Sequence, residues 1–154
     1  MNCTCSSLGV VVLLMASAVI AEPNPAKHQN TGKDRLAIDG YDPVAYFEVG
    51  EARRGKNEFT ADYNGAVYRF ESEAHRKAFA ADPIKYAPAY GGWCATAMAD
   101  GRKVEIDPNN FKITNGRLFL FYKDFFTNAR NKWVKDESNL TAKADAAWKQ
   151  TIGE

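Results

Sequence analysis

Two Asn-Gly dipeptides constrain the fold of this chain more than any other feature. Asn64-Gly65 lies inside the segment EFTADYNGAVYRF, and Asn115-Gly116 lies between FKIT and RLFLFY. Asn and Gly both tolerate the positive φ angles that a two-residue hairpin turn requires, and the flanking residues alternate as they do in strands. The sequence therefore predicts two antiparallel β-hairpins.

The strand that follows the second turn is apolar on both faces. Leu118, Leu120 and Tyr122 fall on one side of it, while Phe119 and Phe121 fall on the other. A strand with two apolar faces is either central in a sheet or covered by helices. We expect this strand to lie in the core.

Capping residues indicate where the first helices begin. Asp42-Pro43 and Asp82-Pro83 each predict a short helical turn directly after them, because Asp caps a helix and Pro fits its first turn. Ser72 predicts the start of a helix over residues 73–81 in the same way. Asp107-Pro108 predicts a turn instead, since two asparagines follow it.

Two further helices are predicted near the C-terminus. Asp124 is expected to cap the first, which runs to Lys135 with Phe125 and Phe126 on its apolar side. The second begins near Ser138, and its apolar residues recur at helical spacing: Leu140, Ala144, Ala147 and Trp148. Hairpins and helices together indicate an α+β fold, a small antiparallel sheet packed with short helices and two C-terminal helices.

The N-terminal segment differs in composition from the rest of the chain. Residues 1–21 carry no charged side chain, and the apolar run over residues 8–20 ends in small residues just before Glu22. A bilayer span needs roughly 20 apolar residues, so this shorter run favours a cleaved signal peptide over an N-terminal anchor. Residues 22–35 predict a flexible leader and residues 36–154 the domain. The protein is therefore expected to be periplasmic or secreted.

The balance of charge and the absence of catalytic motifs argue against two classes of function, nucleic-acid binding and catalysis. The chain has 20 Lys and Arg against 19 Asp and Glu, whereas a nucleic-acid-binding face needs an excess of cations. It contains no His-Glu-x-x-His, Gly-rich phosphate loop, Gly-x-Ser-x-Gly or Cys-x-x-Cys segment. The sequence favours a binding module over an enzyme.

Several ordered segments resemble one known family. They are GYDPVAYF, YRFESEAHRKAFAADPIKYAPAYGGWCA, IDPNNFKITNGRLFLFY and KADAAWK, and they extend from about Leu36 to Lys149. In this order they are similar to the exported, stand-alone members of the YHS-domain family. The resemblance implies a small α+β module linked to metal handling, since such modules accompany copper- and heavy-metal-transporting ATPases and some oxygenases.

The chain departs from that family at two positions that matter for metal binding. Metal-associated YHS modules carry a Phe-Cys-Ser-x-x-Cys segment, and the corresponding run here is FESEAH. Glu71 and His75 stand where the family has its two thiols. A carboxylate and an imidazole favour a different metal, or none, compared with two soft thiolates.

One candidate metal site combines residues from two segments. If residues 93–99 are helical, Cys94 and Met98 share a face, and a thiolate with a thioether suits Cu(I), with His75 and Glu71 as further ligands. The alternative is that Cys94 and Met98 are core residues and that His75 caps its helix or lies on the surface.

A second candidate site is an aromatic pocket beside Cys94. Its proposed members are aromatic residues and one carboxylate: Tyr41, Asp42, Tyr46, Tyr90 and Trp93. Aromatic side chains with a few polar tips are typical of small-molecule or haem-like cofactor sites, but they are equally typical of a compact core.

Three functional hypotheses follow. The first is an exported YHS-type module that handles metal, copper first, in the cell envelope. The second is a protein that binds a small molecule or a haem-like cofactor in the aromatic pocket. The third, least favoured by the motifs, is a thiol-dependent enzyme or redox sensor that uses Cys94.

Overall fold

The structure, a computed structural model, describes residues 24–154, so the predicted signal peptide over residues 1–21 lies outside the described residues. The α+β fold is confirmed. Its strands are β1 (Lys56–Tyr63), β2 (Ala66–Phe70), β3 (Asp107–Thr114) and β4 (Arg117–Phe121). Its helices are α1 (Ala45–Glu48), α2 (Glu73–Ala81), α3 (Pro83–Tyr86), α4 (Ala95–Met98), α5 (Ala129–Trp133) and α6 (Glu137–Ile152).

Both predicted hairpins are present. β1 pairs with β2 and β3 with β4, each antiparallel, and the two Asn-Gly dipeptides form the turns with positive φ angles. The hairpins form two separate two-stranded sheets instead of one continuous sheet. Helices and loops therefore complete the core between them.

Strand β4 contributes to both halves of the core. Leu118 and Leu120 belong to one cluster of buried residues, together with Tyr46, Tyr68, Phe70 and Phe79. Phe119 and Phe121 belong to a second cluster with Tyr90, Met98, Trp133 and Leu140. The predicted burial of this strand on both faces is confirmed, because it lies between the two clusters.

The short helices after Asp42-Pro43 and Asp82-Pro83 are confirmed as α1 and α3. The Oγ of Ser72 accepts the N–H of His75 over 3.2 Å and caps α2 as predicted. The predicted turn at Asp107-Pro108 is wrong, because strand β3 already begins at Asp107 and contains an irregularity before Phe111. The Asp107 carboxylate accepts the N–H of Asn109, which bends the chain locally without ending the strand.

The helix predicted from Asp124 to Lys135 is also wrong. The carboxylate of Asp124 accepts the N–H groups of Phe126 and Thr127, and its own N–H donates to the carbonyl of Thr127. These bonds close a tight turn, so α5 begins only after Asn128, whose side chain caps it. Phe125 and Phe126 consequently lie outside the helix and point to solvent.

The described part of the predicted leader, residues 24–35, makes backbone hydrogen bonds to the domain. The N–H of Asn24 donates to the carbonyl of Ile152, and the N–H of Asn30 donates to the carbonyl of Gly91. The segment has no large apolar side chain from which its packing could be predicted, and its contacts with the domain are made by backbone groups. Within residues 24–154, no helix combines the length and apolar character needed to cross a bilayer.

Candidate functional site

An aromatic cavity of about 370 Å³ opens between the first hairpin, residues 24–35 and α6. Its wall contains three tyrosines and one tryptophan: Tyr63, Tyr68, Tyr90 and Trp148. Pro25, Gln29, Asn64, Ile84, Pro88 and Arg117 complete most of the remaining lining. Ligand-binding clefts occupy roughly 300–1,000 Å³ and are lined mainly by apolar and aromatic side chains, so this cavity matches a small ligand.

A hydrogen-bonded triad fixes one wall of the cavity. The hydroxyl of Tyr90 donates to Oδ1 of Asp145 over 2.9 Å, and Arg117 donates to both carboxylate oxygens over 2.8 and 3.2 Å. Burial raises the pKa of Tyr90 well above its usual range, and the bond to Asp145 raises it further. The hydroxyl therefore stays protonated and keeps its orientation.

The backbone that carries Tyr90 has an unusual conformation. Tyr90, Gly91 and Gly92 all have positive φ angles, of 56°, 60° and 84°. A tyrosine in this region of φ is strained, and strain of this kind persists where the surrounding structure holds it, often at binding sites. The triad with Asp145 provides such a restraint.

Gly91 allows three parts of the chain to meet at the cavity. A Cβ at this position would lie 2.9 Å from Cη2 of Trp148, 3.2 Å from the carbonyl oxygen of His28 and 3.3 Å from Cα of Gln29. Because only glycine lacks a Cβ, Gly91 permits this close approach. The N-terminal segment, the turn after α3 and α6 are joined here.

The predicted aromatic pocket does not form as a unit. Tyr90 lines the cavity, whereas Tyr46 is buried in the first core cluster. The hydroxyl of Tyr46 donates a hydrogen bond to the carbonyl of Pro108. Tyr41 packs under the guanidinium of Arg54, and Trp93 Nε1 donates to the carbonyl of His28. The alternative interpretation, that these side chains are structural, fits Tyr46 best.

Asp42 and His75 are brought together by the fold. Asp42 is fully buried, and its Oδ2 lies 2.6 Å from Nδ1 of His75 and accepts the N–H of Glu71 over 2.8 Å. Its Oδ1 accepts the N–H groups of Val44 and Ala45. Since a carboxylate that binds Nδ1 leaves Nε2 as the free nitrogen, Asp42 sets the orientation of the His75 ring.

The predicted metal ligands are divided between two regions. The Glu71 carboxylate lies 4.0 Å from Arg53, near the Asp42–His75 pair. Cys94 and Met98 are 1% and 0% exposed, and Cys94 lines a different cavity of about 350 Å³ with Thr96, Tyr122 and Asn128 among its walls. Met98 belongs to the second core cluster.

The predicted metal ligands do not come together in one group. Among residues 24–154, no three or more His, Cys, Asp and Glu side chains form a group that could hold a metal ion. Glu71, His75 and Cys94 therefore do not share a site. The full set of four predicted ligands, which also includes Met98, is therefore not assembled in this part of the chain.

The haem-like alternative also has a structural test. None of the residues described as lining the aromatic cavity is His, Cys or Met, so tyrosine is the one type of haem axial ligand among them. The hydroxyl of Tyr90 already donates to Asp145, and Tyr68 is buried in the first core cluster.

Sequence reasoning missed most of the cavity wall. Tyr63 and Tyr68 flank the Asn64-Gly65 turn on neighbouring strands, so the hairpin prediction contained a signal that both rings lie near one another. Trp148 was assigned to the apolar stripe of the last helix. Nothing in the sequence pairs Arg117 with Asp145, 28 residues away.

Comparisons with known proteins give no family and no relative for this chain. No protein-family model, curated protein or solved structure matches the chain.

Proposed function

We propose that this chain is an exported binding module of the YHS type, which holds a small planar organic molecule in the aromatic cavity. The observation that carries the proposal is the cavity of about 370 Å³, in which the half-buried rings of Tyr63 and Trp148 are accessible beside the nearly buried Tyr68 and Tyr90. Aromatic rings bind other flat rings by stacking and edge contacts, which add to the burial of apolar area. Binding, not catalysis, is the proposed activity.

The charges around the cavity support a neutral ligand. Arg117 is the single charged residue among those described as lining the cavity, and its guanidinium is already paired with Asp145. An anionic ligand would have to compete with that carboxylate. Gln29 and Asn64 supply amide groups that can bind a polar edge of the ligand.

The proposal is tested by locating the ligand with protein NMR. Indole, indole-3-acetate and tryptamine share one ring system and differ in charge, so they separate stacking from electrostatics. We expect indole to shift the resonances of Tyr63, Tyr90 and Trp148 at the lowest concentration. Shifts confined to residues of the Cys94 cavity, or none with any of the three compounds, would contradict the proposal.

Copper at His75 is the second candidate function. The observation that favours it is the Asp42–His75 contact, because histidines that bind metals usually hold a carboxylate on their other nitrogen. Since no group of three such ligands forms in residues 24–154, Nε2 of His75 would bind the ion with solvent ligands, and an imidazole without thiolates suits Cu(II) more than Cu(I).

The two histidines of the chain provide a matched pair for the copper test. Titration of Cu(II), followed by electron paramagnetic resonance, should show nitrogen coordination that His75→Asn removes and His28→Asn retains. Loss of the signal in His28→Asn, or an unchanged signal in His75→Asn, would exclude His75 as the ligand.

Export is tested separately from ligand binding. N-terminal sequencing of the protein recovered from the exported fraction should give a chain that begins at Glu22. A chain that begins at Met1 and stays with the membrane fraction would favour the N-terminal anchor.

A further inference from the structure

The loop between β4 and α5 presents two phenylalanines to solvent. Phe125 and Phe126 are 93% and 91% exposed, and their rings meet edge to face with centroids 5.0 Å apart. The other large apolar side chains exposed in residues 24–154 are isolated aliphatic ones: Val49, Ile84 and Val134. Single exposed apolar residues are ordinary, whereas a contiguous aromatic pair is typical of an interaction surface.

Hydrogen bonds of Asp124 close the backbone of this loop into a turn. Oδ1 of Asp124 accepts the N–H of Phe126 over 2.9 Å and that of Thr127 over 2.6 Å. The hydroxyl of Tyr122 donates to Oδ2 of the same carboxylate over 2.6 Å. Because the rings project from a fixed turn, docking them costs little loop entropy.

The base of the loop is anchored to the domain. Oδ1 of Asn128 accepts a hydrogen bond from the side-chain amide of buried Asn110 over 3.0 Å, and another from the N–H of Arg130 over 3.1 Å. Lys123 and Asn128 form an antiparallel bridge beneath the turn. The aromatic pair therefore occupies a defined position on the surface of the domain.

Three cations lie close to the aromatic pair along the chain. Lys123, Arg130 and Lys132 are all exposed, and Asp124 is the one carboxylate between residues 123 and 132. Lys132 also lies 3.7 Å from Asp100. The segment thus combines two exposed aromatic rings with a positive charge that exceeds its negative charge.

We propose that the Phe125–Phe126 loop docks the protein on bilayers that contain anionic lipids. Aromatic rings partition into the headgroup region of a membrane, and Lys or Arg beside them binds anionic headgroups. A protein partner would need a pocket that receives both rings, and the excess of cations in this segment favours an anionic surface. The loop is distinct from the aromatic cavity, so this docking is independent of the proposed ligand.

Vesicle binding tests the loop directly. We expect the protein to co-sediment with vesicles of phosphatidylcholine that contain phosphatidylglycerol, more strongly than with phosphatidylcholine alone, and less strongly at high salt. The double variant Phe125→Ser/Phe126→Ser should bind about a hundredfold more weakly, given roughly tenfold per buried ring. Val49→Ser replaces an exposed apolar residue elsewhere and should bind like the wild type.

A second measurement reports the position of the loop itself, even if the apolar segment over residues 1–21 also binds vesicles. In Phe125→Trp, the fluorescence of the introduced tryptophan should shift to shorter wavelength on vesicles and be quenched by brominated acyl chains, whereas Val49→Trp should show neither change. An unquenched Phe125→Trp, or unchanged affinity of the double serine variant, would overturn the proposal. A dimer that the double serine variant dissociates, without vesicle binding, would overturn it in favour of a second copy of the chain.

Discussion

The hydroxyl of Tyr90 donates a hydrogen bond to the carboxylate of Asp145 over 2.9 Å. This bond joins the strained turn Tyr90-Gly91-Gly92 to α6, which also carries Trp148 into the same cavity. Arg117 binds the second side of the carboxylate from strand β4. The wall of the proposed binding cavity is therefore held by one charged group that three elements share.

Asp145→Asn should weaken the protein at neutral pH and flatten the acid part of its stability profile. Burial opposes ionisation of Asp145, but hydrogen bonds from Arg117 and Tyr90 outweigh it and lower the pKa of this carboxyl below its ordinary value. A carboxyl with a lowered pKa in the folded state stabilises the fold above its unfolded pKa of about 3.9, and this contribution is lost as pH falls through the folded value.

The measurement for Asp145 is urea unfolding at neutral and at acid pH. We expect Asp145→Asn to lower the free energy of unfolding by about 1 kcal/mol at neutral pH, and the difference from wild type to shrink on acidification. Asp62→Asn is the matched control, because Asp62 is 68% exposed and pairs only with exposed Arg35. An equal loss in both variants would contradict the role given to Asp145.

Gly91→Ala should destabilise the fold and close the aromatic cavity. The added Cβ meets Trp148 at 2.9 Å, and the φ angle of 60° is unfavourable for alanine. Gly101→Ala is the matched control, since Gly101 has a φ of 69° but nothing within 4 Å of an added Cβ. Both variants lose about 1 kcal/mol from backbone strain.

Only Gly91→Ala should lose more than this strain, through the displacement of Trp148 and the N-terminal segment. Urea unfolding gives the difference between the two alanine variants, and limited proteolysis before residue 36 reports release of the segment. Equal stability of the two variants, with the same proteolysis rate, would show that the close packing at Gly91 contributes nothing.

Asp42→Asn should cost more stability than the loss of its histidine partner. Oδ1 of the buried carboxylate accepts the N–H groups of Val44 and Ala45, while Oδ2 accepts the N–H of Glu71 and contacts the His75 ring. Asn keeps one acceptor oxygen, but its NH₂ cannot accept the bonds made on the other side. Leaving buried donors without acceptors costs about 2–4 kcal/mol, whereas His75→Asn removes one contact of a side chain that is 17% exposed.

Thermal and urea unfolding of the two variants test this ranking. Exposed Asp39→Asn serves as the control for the chemical change from Asp to Asn. If Asp42→Asn were no less stable than Asp39→Asn, the carboxylate would not organise the start of α1 and α2.

The Cys94 thiol should react only when the protein opens. Cys94 is 1% exposed and lies at the N-terminal cap of α4. Because a thiol reagent needs access to the sulfur, modification of the Cys94 peptide, followed by mass spectrometry, should be at least about a hundredfold slower in buffer than in urea. Rapid modification of the native protein would revive the thiol-dependent hypothesis.

The sequence predicted the parts of this fold whose partners lie close together along the chain. The turn at Asn64, the cap at Ser72 and the buried faces of β4 are all decided by residues within a few positions. Asp124 shows the limit of such signals, because the same carboxylate that can cap a helix here closes a tight turn.

The candidate site could not be predicted in the same way. Its wall combines Tyr63, Tyr90 and Trp148 from three separate elements, and backbone hydrogen bonds of Asn24 and Asn30 bring in a segment with no apolar pattern. Contacts of this range depend on the packing of the whole domain. The Asp42–His75 contact spans 33 positions, so it likewise left no local signal.

The dissociation constant of indole, measured by calorimetry, tests the central claim most directly. The account predicts a value below about 1 mM for the wild type, about tenfold weaker binding by Tyr63→Ala, and wild-type binding by Tyr41→Ala, whose ring packs on Arg54 outside the cavity. Equal affinities of Tyr63→Ala and the wild type, or no binding heat in either, would contradict it.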